Sequence, residues 1–326
     1  MSVPWYKKAL VLRACVPVSE GRKRAQFLWR CADKWGVTAS TTTSDVRERA
    51  NRALGQLPPF SPILNRLIAS LAQEDVSFAK LAELIEKDTV LAGNVLRLVN
   101  SALYGLRGTV NSIRHAVSLL GIYKLRNAVL GISVSRMWNQ VKTPPGWSMA
   151  NFNLHSVGVA ILADLLSQRL EVRYAEGAFA AGLFHDLGLL LLAIGSQEEY
   201  KEVARLCQLG QKPRRECELQ VMGLTHADLS AEALAAWNLP EPIQISVRYH
   251  ETPELDPTPP EPDNILLSRI LNAADEYLRG AGVAPSFFSG QPEDGAAVLE
   301  SLGLGERLAP LLSDFENEFE AIKPYF

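Results

Sequence analysis

Apolar side chains recur along this chain at the three-and-four spacing of helices that bury one face. Ile63, Leu64, Leu67, Ile68 and Leu71 form one such stripe just after the run Leu-Pro-Pro at 57–59. Ser77 is placed to cap a second helix whose buried side carries Phe78, Leu81, Leu84 and Ile85. Val90, Leu91, Val95, Leu98 and Val99 continue the pattern toward Tyr104 and Gly105. Ser112 then caps a helix through Ile113, Val117 and Leu120, Gly121 breaks it, and Ile122 opens another that runs to about Trp138. Short helices joined by short turns predict a packed bundle over roughly 53–138.

The turn-rich segment 142–147, Lys-Thr-Pro-Pro-Gly-Trp, reads as a connector to a second helical group. Helices are expected there near 151–170, 175–194, 197–210, 214–223, 227–237, 241–249, 263–280 and 304–321, with Thr225 as a cap. Strand-like alternation is almost absent, so the expected fold class is all-α, built as two packed helical groups. The proline-rich acidic stretch 251–262 and the glycine-containing stretch 280–295 read as surface loops. The division that follows is an extension over 1–52, a domain over 53–280 with its second group from about 148, and a C-terminal loop and helix over 281–326.

Composition leaves this picture in place. Hydrophobic residues make up 47% and charged residues 21% of 326 residues, an ordinary globular balance. The net charge of -3 argues against a general affinity for nucleic acid, and the helix–turn–helix outline at 113–138 reads as core packing. Cys15, Cys31, Cys207 and Cys217 show no short paired spacing and read as reduced thiols. The first residues lack a signal-peptide pattern, and no uninterrupted apolar run reaches membrane-spanning length, so a cytoplasmic, non-membrane protein is expected. Basic residues and the aromatics Trp5, Tyr6, Phe27, Trp29 and Trp35 are interleaved in the first 36 positions. That segment fits either a helix packing its aromatics on the bundle or a docking segment for an acidic or phosphate-bearing partner.

The chemistry centres on His185 and Asp186, two polar side chains inside the most apolar stretch of the chain, 178–193. Leaving even a neutral polar group unpaired in such surroundings costs about 2–7 kcal/mol. Either the pair is satisfied by hydrogen bonds within the core, or it holds a metal ion. His155, His226, His250 and Asp275 each follow at about one helical hairpin's separation, so several helices could bring them to one centre. Imidazole nitrogens with carboxylate oxygens suit iron, zinc or manganese. Arg248 and Arg269 are candidate positive charges for a phosphate group.

The order of His155, His185-Asp186 and Asp275 resembles the HD superfamily of metal-dependent phosphohydrolases. The runs at 57–60, 81–92, 95–105, 113–121, 181–188 and 236–240, with Tyr249-His250-Glu251, resemble its HDOD branch. That resemblance implies an all-helical fold and a role in bacterial signal transduction, through a regulatory protein partner and commonly without catalysis. It implies a divalent ion held by His155, His185, Asp186 and Asp275. His226 and His250 resemble the extra histidines of the HD-GYP branch and imply a second metal position or a contact to phosphate. The run Glu-Thr-Pro-Glu at 251–254 departs from that branch's Gly-Tyr-Pro signature and argues against cyclic di-GMP as substrate. The alternative the resemblance carries is a phosphohydrolase acting on a nucleotide or cyclic nucleotide.

Overall fold

A computed structural model describes residues 42–71, 78–101, 109–210, 212–285 and 295–326. The described residues from Thr43 onward form one compact unit. Its helices are α1 (Thr43–Gln56), α2 (Pro62–Ser70), α3 (Phe78–Lys87), α4 (Thr89–Val99), α5 (Ile113–Leu120) and α6 (Ile122–Trp138). They are followed by α7 (Met149–Ser167), α8 (Ala178–Phe184), α9 (Leu187–Gly195), α10 (Gln197–Gly210) and α11 (Arg214–Met222). The chain continues through α12 (His226–Ala236), α13 (Glu241–Arg248), α14 (Leu267–Gly280), α15 (Gly295–Glu300) and α16 (Leu308–Ile322). Among the described residues there is no strand, only a single parallel bridge between Val172 and Ile265.

Local chemistry sets the helix starts. Ser61, Asp88, Ser112 and Ser148 each accept a hydrogen bond from a first-turn N–H, satisfying a donor that has no partner inside the helix. Thr225 and Asp228 close a reciprocal capping box on α12. Gly121 takes φ 76°, which ends α5 and starts α6. The cap expected at Ser77 and the turn expected at Tyr104-Gly105 lie outside the described residues. Where they are described, the apolar stripes bury as expected, with Leu84 and Leu120 half-buried and one exception, Val90, which is 57% exposed in the first turn of α4. The 52/53 boundary suggested by the sequence falls inside α1, and α1 packs on α9 and α12 in the second helical group.

Helices α3 to α6 pack on one another, with α2 on α6, and form the first group. In the second, α7 is central: α8, α14 and α16 lie against it, while α9 packs on α12 and α12 on α13. One continuous apolar cluster runs through both groups, from Val46 to Ile322. Two stretches, Met149–Ser167 and Ala175–Gly195, are by length and mean composition apolar enough to span a membrane, although Asp164 interrupts the first and His185-Asp186 the second. Their windows are 72% and 94% buried inside the protein, so the apolarity serves the core.

The single helix expected over 175–194 is broken. A short 3-10 turn at Ala175–Gly177 leads into α8, and α9 begins only at Leu187. Between them Asp186 leaves helical geometry at φ -98°, ψ 11°. Glycines make the surrounding fit possible: a Cβ on Gly182 would lie 2.7 Å from the Ala160 Cα, and one on Gly188 only 2.0 Å from the His226 carbonyl oxygen. The break and the close packing together aim His185 and Asp186 at the same interior point.

Candidate metal centre

Five elements deliver the six candidate side chains. His155 lies midway along α7, and His185 and Asp186 occupy the break between α8 and α9. His226 opens α12, held in place by the Thr225 capping box. His250 follows the end of α13, and Asp275 sits on α14. The structure brings all six together, each essentially fully buried.

Every imidazole is oriented by its Nδ1. In His155 it donates to the Val283 carbonyl at 2.8 Å, in His185 to that of Gly182 at 2.7 Å, and in His250 to that of Val247 at 2.7 Å. A carbonyl oxygen can only accept, so these Nδ1 atoms carry the proton and each Nε2 is left as a lone pair. His226 is held instead by the buried Glu218 carboxylate, 2.9 Å from Nδ1. Four Nε2 atoms therefore face the interior, the arrangement in which outer hydrogen bonds fix the tautomer and angle of metal-binding histidines.

The inward atoms form two adjoining sets. In the first, His155 Nε2 lies 3.2 Å from His185 Nε2, 3.1 Å from Asp275 Oδ1 and 3.6 Å from Asp186 Oδ2. His185 Nε2 lies 3.4 Å from Asp186 Oδ2. In the second, Asp186 Oδ1 is 3.1 Å from His226 Nε2 and 4.0 Å from His250 Nε2. Asp186 thus offers one oxygen to each set. Among the described residues, both Asp186 oxygens, Asp275 Oδ1 and the Nε2 atoms of His226 and His250 make no hydrogen bond. Acceptors gathered this closely repel one another unless positive charge lies among them, either a proton on an imidazole or a metal ion, and each unsatisfied one costs about 1–3 kcal/mol. The donor set fits a first-row divalent ion in both identity and spacing.

The centre also has residues that motif reading missed. Arg214, at the start of α11, is 5% exposed, and its Nη2 is 3.8 Å from Asp186 Oδ1 and 3.5 Å from Glu251 Oε1. A basic group therefore does stand beside the His-Asp pair. The arginines singled out from sequence are elsewhere: Arg248 pairs with Asp228 at 2.9 Å, and Arg269 reaches the Ser301 carbonyl at 3.4 Å. Arg279 approaches Asp275 at 3.5 Å through Oδ2.

These charges act on the titrating groups in opposite directions. Burial lowers the affinity of His226 for a proton, but the Glu218 and Glu251 carboxylates outweigh it and push the ring up to about 10. Burial pushes His250 down to about 4, with the neighbouring His185 adding to the effect. Burial works against ionised Asp186, yet His185 and Arg214 hold it well below the ordinary carboxylate range. The centre is thus built to keep its carboxylates ionised.

Fold and site together define an all-helical protein built round a buried histidine–aspartate cluster that could hold a metal. The family model for the HDOD domain matches residues 57–253, and the chain belongs to that family. Among solved structures it resembles an HDOD domain protein of unknown function from Geobacter sulfurreducens, with a TM-score of 0.69 and 24% identity over 86% of this chain and 98% of the other. A provisionally named signal transduction protein from Marinobacter aquaeolei VT8 gives 0.63 and 21%, over 89% and 68%. A provisionally named phosphohydrolase from Shewanella amazonensis SB2B gives 0.61 and 22%, over 84% and 98%. At these identities the likeness concerns the fold. A Treponema pallidum (strain Nichols) protein without an assigned activity is 22% identical over 257 residues, 75% of this chain. The chain spans about half of that relative's length, 47%.

Proposed function

We propose that this chain is a cytoplasmic regulatory module of bacterial signal transduction whose second helical group is held by a buried divalent ion of iron, zinc or manganese. One observation carries the metal: His155 and His185, both with Nδ1 committed to a carbonyl, face each other Nε2 to Nε2 at 3.2 Å. Two lone pairs at that distance repel; a proton on one ring relieves that pair, and a metal ion relieves it together with the Asp186 and Asp275 oxygens that converge on the same point. His155, His185, Asp186 and Asp275 would hold the ion, with His226 and His250 beside the other Asp186 oxygen. Bound there, an ion of this kind supplies Lewis acidity and lowers the pKa of coordinated water.

The closure of the site favours the regulatory reading over turnover. The four histidines and Asp186 are 0% exposed and Asp275 is 1% exposed, so a substrate phosphate reaches them only if helices part. A module of this kind signals by coupling the ion to helix packing, with a partner protein reading the outer surface. A second reading, hydrolysis of a nucleotide or cyclic nucleotide, is favoured by Arg214, whose Nε and Nη2 make no hydrogen bond among the described residues and whose Nη2 lies beside Asp186.

The test is elemental analysis of protein purified without a metal-chelating tag, followed by a phosphatase and phosphodiesterase screen of the loaded form. Near-stoichiometric iron, zinc or manganese that is lost in Asp186→Ala supports the centre. Metal content unchanged by that substitution places the ion elsewhere. Turnover abolished by Asp186→Ala would replace the regulatory reading with the hydrolytic one.

A further inference from the structure

The two sets of inward atoms are unequal, and the inequality bears on how many ions the proposed centre holds. In the first, the Nε2 atoms of His155 and His185 stand 3.1–3.9 Å from each other and from Asp186 Oδ2 and Asp275 Oδ1. A tetrahedral ion with bonds of about 2.1 Å sets its ligand atoms about 3.4 Å apart, so this position is already spaced for one. The neighbouring guanidinium, Arg279, meets Asp275 through Oδ2, not the Oδ1 that faces His155, and it is also bound to Glu276 at 2.7 Å.

The second position contains a cation of its own. Arg214 Nη2 approaches Asp186 Oδ1, the same oxygen that His226 and His250 face. An ion bonded to that oxygen at about 2.1 Å would lie within about 6 Å of the guanidinium nitrogen. Arg214 is buried and does not lose its proton, so its charge can neither leave for water nor be titrated away. The carboxylates that would otherwise attract a second ion already face positive charge: Glu251 Oε1 is 3.5 Å from Arg214 Nη2, and Glu218 holds His226 Nδ1 at 2.9 Å. Helix α11 supplies both Arg214 and Glu218, one turn apart, so a single element places the cation and orients the histidine next to it.

We infer that this centre takes one divalent ion, at His155, His185, Asp186 and Asp275, and that the Arg214 guanidinium stands where a second ion would otherwise bind beside His226 and His250. The inference rests on the metal-binding reading above. It makes Arg214 a residue that sets metal stoichiometry.

Manganese(II) is the probe, added to the full chain after chelation, with content read by mass spectrometry and coupling read by electron paramagnetic resonance. The wild type should hold one manganese with the six-line signal of an isolated ion, and a second ion should bind at least about 100-fold more weakly. Arg214→Gln should take up a second manganese, and two ions sharing Asp186 should show an exchange-coupled spectrum. Arg214→Lys, which keeps the charge, should stay at one. Where Arg214→Gln fails to fold, Arg214→Met gives the same comparison with a chain of similar length and no charge. Two tight ions in the wild type, or one ion in a folded Arg214→Gln or Arg214→Met, overturns the inference while the metal centre stands. No ion in the wild type overturns the centre itself and the inference with it.

Discussion

Gly188→Ala probes the packing that sets the centre's geometry. A Cβ at this position would meet the His226 carbonyl oxygen at 2.0 Å, its carbonyl carbon at 2.8 Å and its Cα at 3.0 Å. All three are backbone atoms at the start of α12, so no side-chain rotation relieves them. An ordinary carbon–oxygen contact of about 3.3 Å requires α9 and α12 to separate by roughly 1 Å. That movement strains the 2.7 Å hydrogen bond from the Gly188 N–H to Ser230 Oγ and draws His226 away from Asp186. Overpacking a tight core costs about 1–3 kcal/mol, and a clash with backbone on both sides belongs at the upper end, about 3 kcal/mol. In a domain of this size that lowers Tm by about 6–10 °C. The assay is thermal unfolding followed by circular dichroism on chelator-treated protein, so that altered ion binding adds nothing. Gly93→Ala is the control: it sits inside α4 with no described atom within 4 Å of the added Cβ, and should stabilise by about 0.5–1 kcal/mol. A fall of less than about 2 °C for Gly188→Ala refutes the close-approach argument.

Three further outcomes are expected. Removing the ion from wild-type protein should lower Tm, because a ligand bound only by the native state adds about 4 kcal/mol at a thousandfold excess over Kd; an unchanged melting curve after verified removal refutes a structural role. Asp275→Asn should weaken metal retention while leaving the chelator-treated protein's melting temperature within a few degrees, which metal analysis and calorimetry check together. Asp164 carries a pH dependence of its own: burial, with Glu318 adding, pushes its carboxyl up to about 6, against hydrogen bonds from Gln168 and Asn127. Because the folded value lies above the unfolded one, the cost is largest above pH 6 and disappears as pH falls toward 4. Asp164→Asn should therefore stabilise the protein at pH 7–8 by up to about 3 kcal/mol and converge with the wild type near pH 4; a pH-independent difference in urea unfolding refutes this.

Much of the helical framework was legible because its signals are local. Gly121 and the hydroxyls of Ser112 and Thr225 act on their own helix ends, and the stripe from Ile63 to Leu71 needs only a period. The break at His185-Asp186 was not legible from period, since residues on all sides of 178–193 are apolar and no face is distinguished. What sequence did show there was chemical: two polar groups where burial penalises them. That the six candidate residues meet follows from helix packing, which their order along the chain suggests only through family resemblance.

Helix α11 shows why the remainder of the centre stayed hidden. Its sequence, Arg-Arg-Glu-Cys-Glu-Leu-Gln-Val-Met, reads as a solvated polar helix, yet Arg214, Cys217, Glu218 and Met222 are buried and Leu219 is 40% exposed. Those four lie at i, i+3, i+4 and i+8, the spacing of a core-facing stripe, with charges in half of the places. Burying an arginine and a glutamate without compensation costs several kcal/mol per ion, so this face is stable only against an interior that carries opposite charge. Asp186 and Glu251 supply it for Arg214, and His226 supplies it for Glu218. The inverted helix and the histidine–aspartate cluster therefore require each other: a buried stripe that carries charges is itself a sign that an ionised centre lies across from it.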